Sequence, residues 1–145
     1  KVRGYEFEID EPAARTILER ARPEIEYEIV SLLKKDSRDM TDADRQKIYD
    51  FCKESKYDNI IITHGTDTMV QTAHKLGDIK DKTIILTGAS LPEKFYESDA
   101  SFNLGTAVGA INVIEKGVHI AMNGRVYLWN HVKENLNEGR FVDSD

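Results

Sequence analysis

Four short apolar runs constrain this chain more than anything else in it: residues 25 to 33 (IEYEIVSLL), 59 to 63 (NIIIT), 82 to 87 (KTIILT) and 117 to 122 (GVHIAM). Each is rich in β-branched residues and bounded by Asp, Gly or Lys, which predicts strands. Their near-continuous hydrophobicity suits strands covered on both faces, as in a parallel sheet. Parallel strands need crossovers, and the intervening segments carry helical periodicity. Asp10 caps a predicted helix with Pro12 in its first turn and Ala14, Ile17, Leu18 and Ala21 on one face, stopped by Pro23. Thr41, with Asp44 three residues on, resembles a capping box for a helix whose Ile48, Phe51 and Cys52 share a face. Thr66 opens a third helix through Met69, Val70, Ala73 and Leu76, closed by Gly77, and a fourth runs from about Asp99 through Leu104, Ala107, Val108, Ile111 and Ile114 to Gly117. The alternation predicts an α/β chain with a doubly wound, mostly parallel sheet in three α/β/α layers, of the Rossmann or flavodoxin kind. Since it opens on a helix, the sheet is expected to begin one strand late.

Composition narrows what such a domain can do. A chain of 145 residues with 40% hydrophobic side chains can fill one core, so residues 1–145 are expected to form a single domain. With 26 acidic against 20 basic residues the formal charge is −6, and there is no basic stripe to neutralise a phosphate backbone. Nucleic acid is therefore not an expected partner. No stretch approaches the roughly 18 apolar residues of a membrane span, so no membrane partner is expected either. The single cysteine, Cys52, cannot close an intrachain disulfide and falls on a helix stripe, which suits a buried thiol and a cytoplasmic location.

In an open parallel sheet, the loops leaving the carboxyl ends of the strands converge on one edge, where ligands bind. Three loops there are polar: Lys35 to Met40, His64 to Thr68, and Gly88 to Pro92. A glycine followed by hydroxyls at a helix N-terminus offers backbone N–H groups to a carboxylate or oxyanion, which favours a small anionic or zwitterionic ligand. Each residue also has a structural reading. Thr66 is a good N-cap and Asp67 a good first-turn acid, while Ser37, Asp36 and Asp39 suit a turn. His64 has no second histidine or cysteine at ligand spacing, so no metal is expected. No G-x-S-x-G elbow, P-loop or G-x-G-x-x-G is present, which removes the commonest hydrolase, NTPase and dinucleotide readings.

The string THGTDTM at 63–69, followed by LTGASLP at 86–92 and SDASFNLGTAV at 98–108, closely resembles the asparaginase family of bacterial type. KDSRDMTD at 35–42 resembles that family's Ser-x-Asp-Met loop, and GVHIAMNGRVY at 117–127 its later Gly-Val-x-x-x-Met-Asn strand. The resemblance implies hydrolysis of L-asparagine to L-aspartate and ammonia through a threonine nucleophile, with L-glutamine as a lesser substrate and no cofactor. A non-catalytic amino-acid-binding module on the same fold is the alternative. Thr66 matches the family's second catalytic threonine and Asp67 the acid that grips the substrate α-amino group. Ser37 matches the serine that holds the α-carboxylate, and Ala89 a backbone contact near the side-chain amide. The family's catalytic lysine aligns without gaps to Glu134, and a one-residue loop deletion transfers the role to Lys133. The family's substrate-loop tyrosine aligns near Tyr5 or Phe7. Its first catalytic threonine sits in a Thr-Gly-Gly-Thr-Ile motif that does not occur here, so that threonine and its strand are expected before residue 1. The resemblance is to the short kind with no C-terminal domain, which implies self-association, as a homodimer or larger assembly, to wall off the cleft.

Overall fold

Alternation of side chains along the central strands builds the layers. The computed structural model describes residues 13–91 and 98–144, and for residues 3–6 the backbone alone. Strands β3 (Asn59–Thr63), β4 (Thr83–Thr87) and β5 (Gly117–Met122) run parallel in register, pairing Ile60 with Ile84 and Ile84 with Val118. Because successive residues point to opposite faces, each strand feeds two cores. Ile60, Ile62, Ile84, Leu86, Val118, Ile120 and Met122 face helices α2 (Asp42–Glu54) and α3 (Met69–Leu76), meeting Ile48, Cys52, Met69, Ala73 and Leu76. On the other face, Ile61, Ile85 and Ala121 meet Ala14, Ile17 and Leu18 of α1 (Ala13–Ala21) and Leu104, Ala107 and Ile111 of α4 (Ala100–Ala110). This is the expected three-layer α/β/α arrangement.

At one side β1 (Arg3–Glu6) pairs parallel with β2 (Glu26–Ile29) and also lies against β3, so the strands follow in the order β2-β1-β3-β4-β5. The described elements therefore open on the strand β1 rather than on the helix expected from the sequence. At the other side β6 (Arg125–Leu128) returns antiparallel from β5 through Asn123 and Gly124, with φ of 55° and 77°. That is the two-residue left-handed turn for which Asn-Gly is the usual signal. A separate antiparallel pair, β7 (Val132–Asn135) and β8 (Arg140–Asp143), adds Val132 and Phe141 to the α2/α3 core. Neither β6 nor this hairpin was expected from the sequence.

Other expectations shift at their edges. The strand predicted at 25–33 ends at Ile29, and Val30, Leu32 and Leu33 instead pack irregularly on the core. Asp10 and Pro12 lie outside the described residues. Ala21 is exposed rather than part of the apolar face of α1, and the helix ends there, with Arg22 following at φ 50°. The capping box of Thr41 and Asp44 forms, with N–H to oxygen distances of 2.8 and 3.2 Å. Cys52 is fully buried, and burial pushes its thiol up to about 12. No helix among the described residues is long and apolar enough to cross a membrane.

Candidate active site at the carboxyl edge of the sheet

The chain passes from β2 through α2 to β3, crossing over β1, so the strand order switches direction between β1 and β3. Loops at such a switch point splay apart and leave a crevice. A 3₁₀ turn at Ser37–Asp39 follows β2, and another at Thr66–Thr68 follows β3; the two turns touch. The Thr68 hydroxyl donates to the Ser37 carbonyl at 2.8 Å, joining them. Thr66 itself makes no capping bond, contrary to its reading as an N-cap, because the chain enters α3 through the 3₁₀ turn. Its hydroxyl is thus not committed to the helix terminus.

Close backbone approach explains the glycines of these loops. A Cβ on Gly65 would lie 2.5 Å from Ser37 Oγ, and one on Gly88 would fall on the His64 carbonyl oxygen. Any side chain at either position would push the loops apart. Ser37 is 1% exposed, and its hydroxyl is buried with no hydrogen-bond partner. A buried hydroxyl left unpaired costs stability and calls for an explanation, such as a ligand group.

The third loop is held from α4. Asn103, fully buried, donates from Nδ2 to the Gly88 carbonyl at 2.8 Å and to Asp99 at 3.0 Å, while its Oδ1 accepts the Asn123 N–H at 3.0 Å. Asp99 accepts the N–H groups of Ser90 and Leu91 at 3.1 and 3.0 Å. One side-chain pair therefore fixes Ala89 between its neighbours. Both lie in the motif at 98–108, where Asp99 was expected only to start the helix and Asn103 was not singled out. Pro92 lies outside the described residues, as do Phe7 and the side chain of Tyr5.

Charge at the edge is mixed. Arg38 donates to both carboxylate oxygens of Asp36, at 3.1 and 3.0 Å, and these bonds lower the Asp36 pKa to about 2. Arg38 also lies 3.7 Å from the Asp67 carboxylate, an exposed pair. Below the turn, His64 is 8% exposed and bonded on both nitrogens, to the Gly65 carbonyl at 2.7 Å and the Thr72 hydroxyl at 2.8 Å. Burial lowers its pKa to about 4, the Gly65 carbonyl opposing and the Arg45 charge adding to the shift.

The hairpin β7–β8 puts the two candidates for the lysine position on opposite faces. Alternation along β7 leaves Lys133 exposed, while Glu134 shares the inward face of Val132 and stands opposite buried Phe141. Burial raises the Glu134 pKa, and the Asp67 charge raises it further, so the two carboxylates sense one another. The structure brings Ser37, Thr66, Asp67 and Ala89 to one edge with Glu134 near them, and it leaves Lys133 on the far face. Bringing Lys133 to the inner face would take a one-residue shift of β7, which would turn Val132 and Glu134 outward.

Known proteins resemble this chain in sequence and fold. The sequence profile described as "Asparaginase, N-terminal" matches residues 4–139. The L-asparaginase 1 of Escherichia coli is 38% identical over 101 residues, covering 66% of this chain and 30% of that protein. The glutaminase-asparaginase of Acinetobacter glutaminasificans is 33% identical over 97 residues, covering 63% of this chain and 29% of that protein. The crystal structure of L-asparaginase I from Vibrio cholerae superposes with a TM-score of 0.85 at 27% identity, over 99% of this chain and 51% of that one. The chain thus spans about half the length of this solved relative.

Proposed function

This chain belongs to the asparaginase family, and we propose from that premise that it hydrolyses the side-chain amide of L-asparagine to L-aspartate and ammonia, with L-glutamine as a lesser substrate. One observation carries the reading: the buried, unpartnered Ser37 hydroxyl lies against Gly65, whose turn continues directly into Thr66 and Asp67. The site has a donor for an α-carboxylate in Ser37, an acid for an α-ammonium in Asp67, and a hydroxyl for water or proton handling in Thr66. The loop of Ala89, fixed by Asn103, lies where the side-chain amide would sit. Deamidation uses such parts: charge-matched anchors hold the amino acid, and a hydroxyl acts on a carbonyl whose oxyanion is met by fixed donors. A cytoplasmic setting and self-association that walls off the cleft belong to the same reading, the former supported by the free, buried Cys52.

A second reading is favoured by Glu134. In the family a lysine activates the second threonine, and here an acid on the inner side of β7 feels the Asp67 charge. Two neighbouring carboxylates favour binding of an ammonium group and disfavour formation of a threonine alkoxide. The alternative is therefore an amino-acid-binding module that retains the anchors without turnover.

Ammonia release from L-asparagine by the complete natural protein separates the two. Activity abolished by Thr66→Val is the expected outcome. A silent natural protein that binds L-aspartate and gains turnover on Glu134→Lys would instead establish the binding module. Running the same assay across protein concentrations reads self-association, and specific activity that stays flat down to concentrations at which light scattering gives the mass of one chain would remove that part of the reading.

A further inference from the structure

The loops that carry Ser37 and Thr66 are joined a second time, beneath the surface, through side chains that the reaction does not touch. Arg45 of α2 donates from Nη1 to the Met40 carbonyl at 3.2 Å, at the end of the Ser37 turn. Its Nε donates to the Thr72 hydroxyl of α3 at 3.1 Å. The Thr72 hydroxyl stands 2.8 Å from His64 Nε2, and His64 Nδ1 stands 2.7 Å from the Gly65 carbonyl, one residue before Thr66.

The protons in this chain have one consistent arrangement. A carbonyl only accepts, so His64 Nδ1 carries hydrogen toward Gly65. The Thr72 oxygen accepts the Arg45 Nε–H, which leaves its own hydrogen for the lone pair on His64 Nε2. A charged ring would carry hydrogen on both nitrogens and leave the Thr72 hydrogen without an acceptor. The lowered pKa of His64 agrees with a neutral ring.

Stability alone does not explain Arg45. It lies on the same helical stripe as Ile48 and Cys52 and is 7% exposed; no carboxylate among the described residues pairs with it, and Nη2 is buried without a partner. A buried guanidinium lacking a counter-charge is a cost that an apolar side chain would avoid. What the arginine does hold is the pair of loops that form the site.

We propose that Arg45, Thr72 and His64 are positioning residues, a buried relay that fixes the Ser37 turn and the Gly65–Thr66 turn at one separation so that the two ends of an amino-acid substrate are met together. The inference rests on the proposed function for what the loops bind. Small misplacements of substrate anchors are costly to turnover, which is why a linkage far from the reacting atoms can matter.

The test uses the complete natural protein with Thr72→Val, which keeps the shape and removes the hydroxyl, Thr72→Ser, which restores it, and Arg45→Met. The expected result is that Thr72→Val lowers kcat/KM for L-asparagine by about 10 to 100-fold and that Thr72→Ser recovers it to within about threefold of the natural protein. Arg45→Met is expected to hold or raise Tm while lowering kcat/KM, a divergence that a purely structural arginine would not produce. Nitrogen-15 spectra of the His64 ring should show hydrogen on Nδ1 in the natural protein. Backbone amides of Ser37–Met40 and Gly65–Thr68 should shift together in Arg45→Met. A fall in Tm with unchanged activity per folded molecule in Arg45→Met, or hydrogen on Nε2 in the natural protein, would overturn the relay. A natural protein that neither hydrolyses nor binds these amino acids would remove the proposed function, and the ring tautomer and the paired amide shifts would still judge the linkage.

Discussion

The parallel block β3–β4–β5 and the hairpin β7–β8 contribute to the same edge by different physics. In the block, Ile84, Ile85 and Leu86 are fully buried, and helices cover both faces. Its loops are placed by backbone contact: the His64 N–H donates to the Thr87 carbonyl at 2.9 Å, and Gly88 passes against the His64 carbonyl. The hairpin has one anchored face, through Val132 and Phe141, and several exposed positions. It supplies charge, through Glu134, to a geometry it does not set. The block therefore should tolerate almost nothing at its carboxyl edge, and the hairpin should accept changes in shape while altering the electrostatics.

The sharpest way to break this contrast is Gly88→Ala, which sets a methyl group on the His64 carbonyl. A loss of about 3 kcal/mol or more is expected, read as a fall in Tm of roughly 10 °C. A protein of unchanged Tm would mean that the loops are looser than described. Next comes acid. His64 is held at about 4 against an ordinary 6.5 by burial, so its neutral form stabilises the fold. That stability is complete above pH 6.5, declines as pH falls from there to about 4, and amounts to about 3 kcal/mol in total. Urea unfolding between pH 7 and 4 should show this slope in the natural protein and lack it in His64→Gln. Equal slopes in the two proteins would place the acid sensitivity elsewhere. The smallest effect belongs to the hairpin side: Arg125 of β6 reaches Asp143 of β8 at 2.8 Å in a pair that is more than half exposed on both sides. Arg125→Ala should move Tm by no more than about two degrees, and a larger shift would show that the hairpin depends on this link more than on Val132 and Phe141.

Much of the candidate site was legible because it is local. Gly65, Thr66 and Asp67 are consecutive and sit where a strand hands over to a helix, so a short string captures them. Strands β3 and β5 also match their predicted bounds, since a run of β-branched residues between turn formers is a signal carried within a few residues. The choice between Lys133 and Glu134 was not legible in this way. Whether Lys133 or Glu134 faces the site depends on which residues of β7 meet the core, and a register shift of one residue reverses the answer. Arg45 did leave a trace: it stands three residues before Ile48 on an otherwise apolar stripe, the mark of a charge carried inward for a purpose. The dipeptide Asn123–Gly124 is a turn signal of the same local kind, although the antiparallel return of β6 was not expected from it.

By itself the sequence determined the layered α/β plan, the faces of most helices and the string of residues at the carboxyl edge, since each follows from periodicity or chemistry within a few neighbouring positions. Tertiary structure alone decided that Glu134 rather than Lys133 takes the inward face of β7, that Arg45, Thr72 and His64 are linked by hydrogen bonds, and that the Ser37 hydroxyl is buried without a partner. Those outcomes depend on burial and on hydrogen bonds between elements such as Thr72 and Arg45, which lie 27 positions apart. Desolvation and pairing are sums over everything that surrounds a group, and such sums exist only once the strands and helices have been brought together.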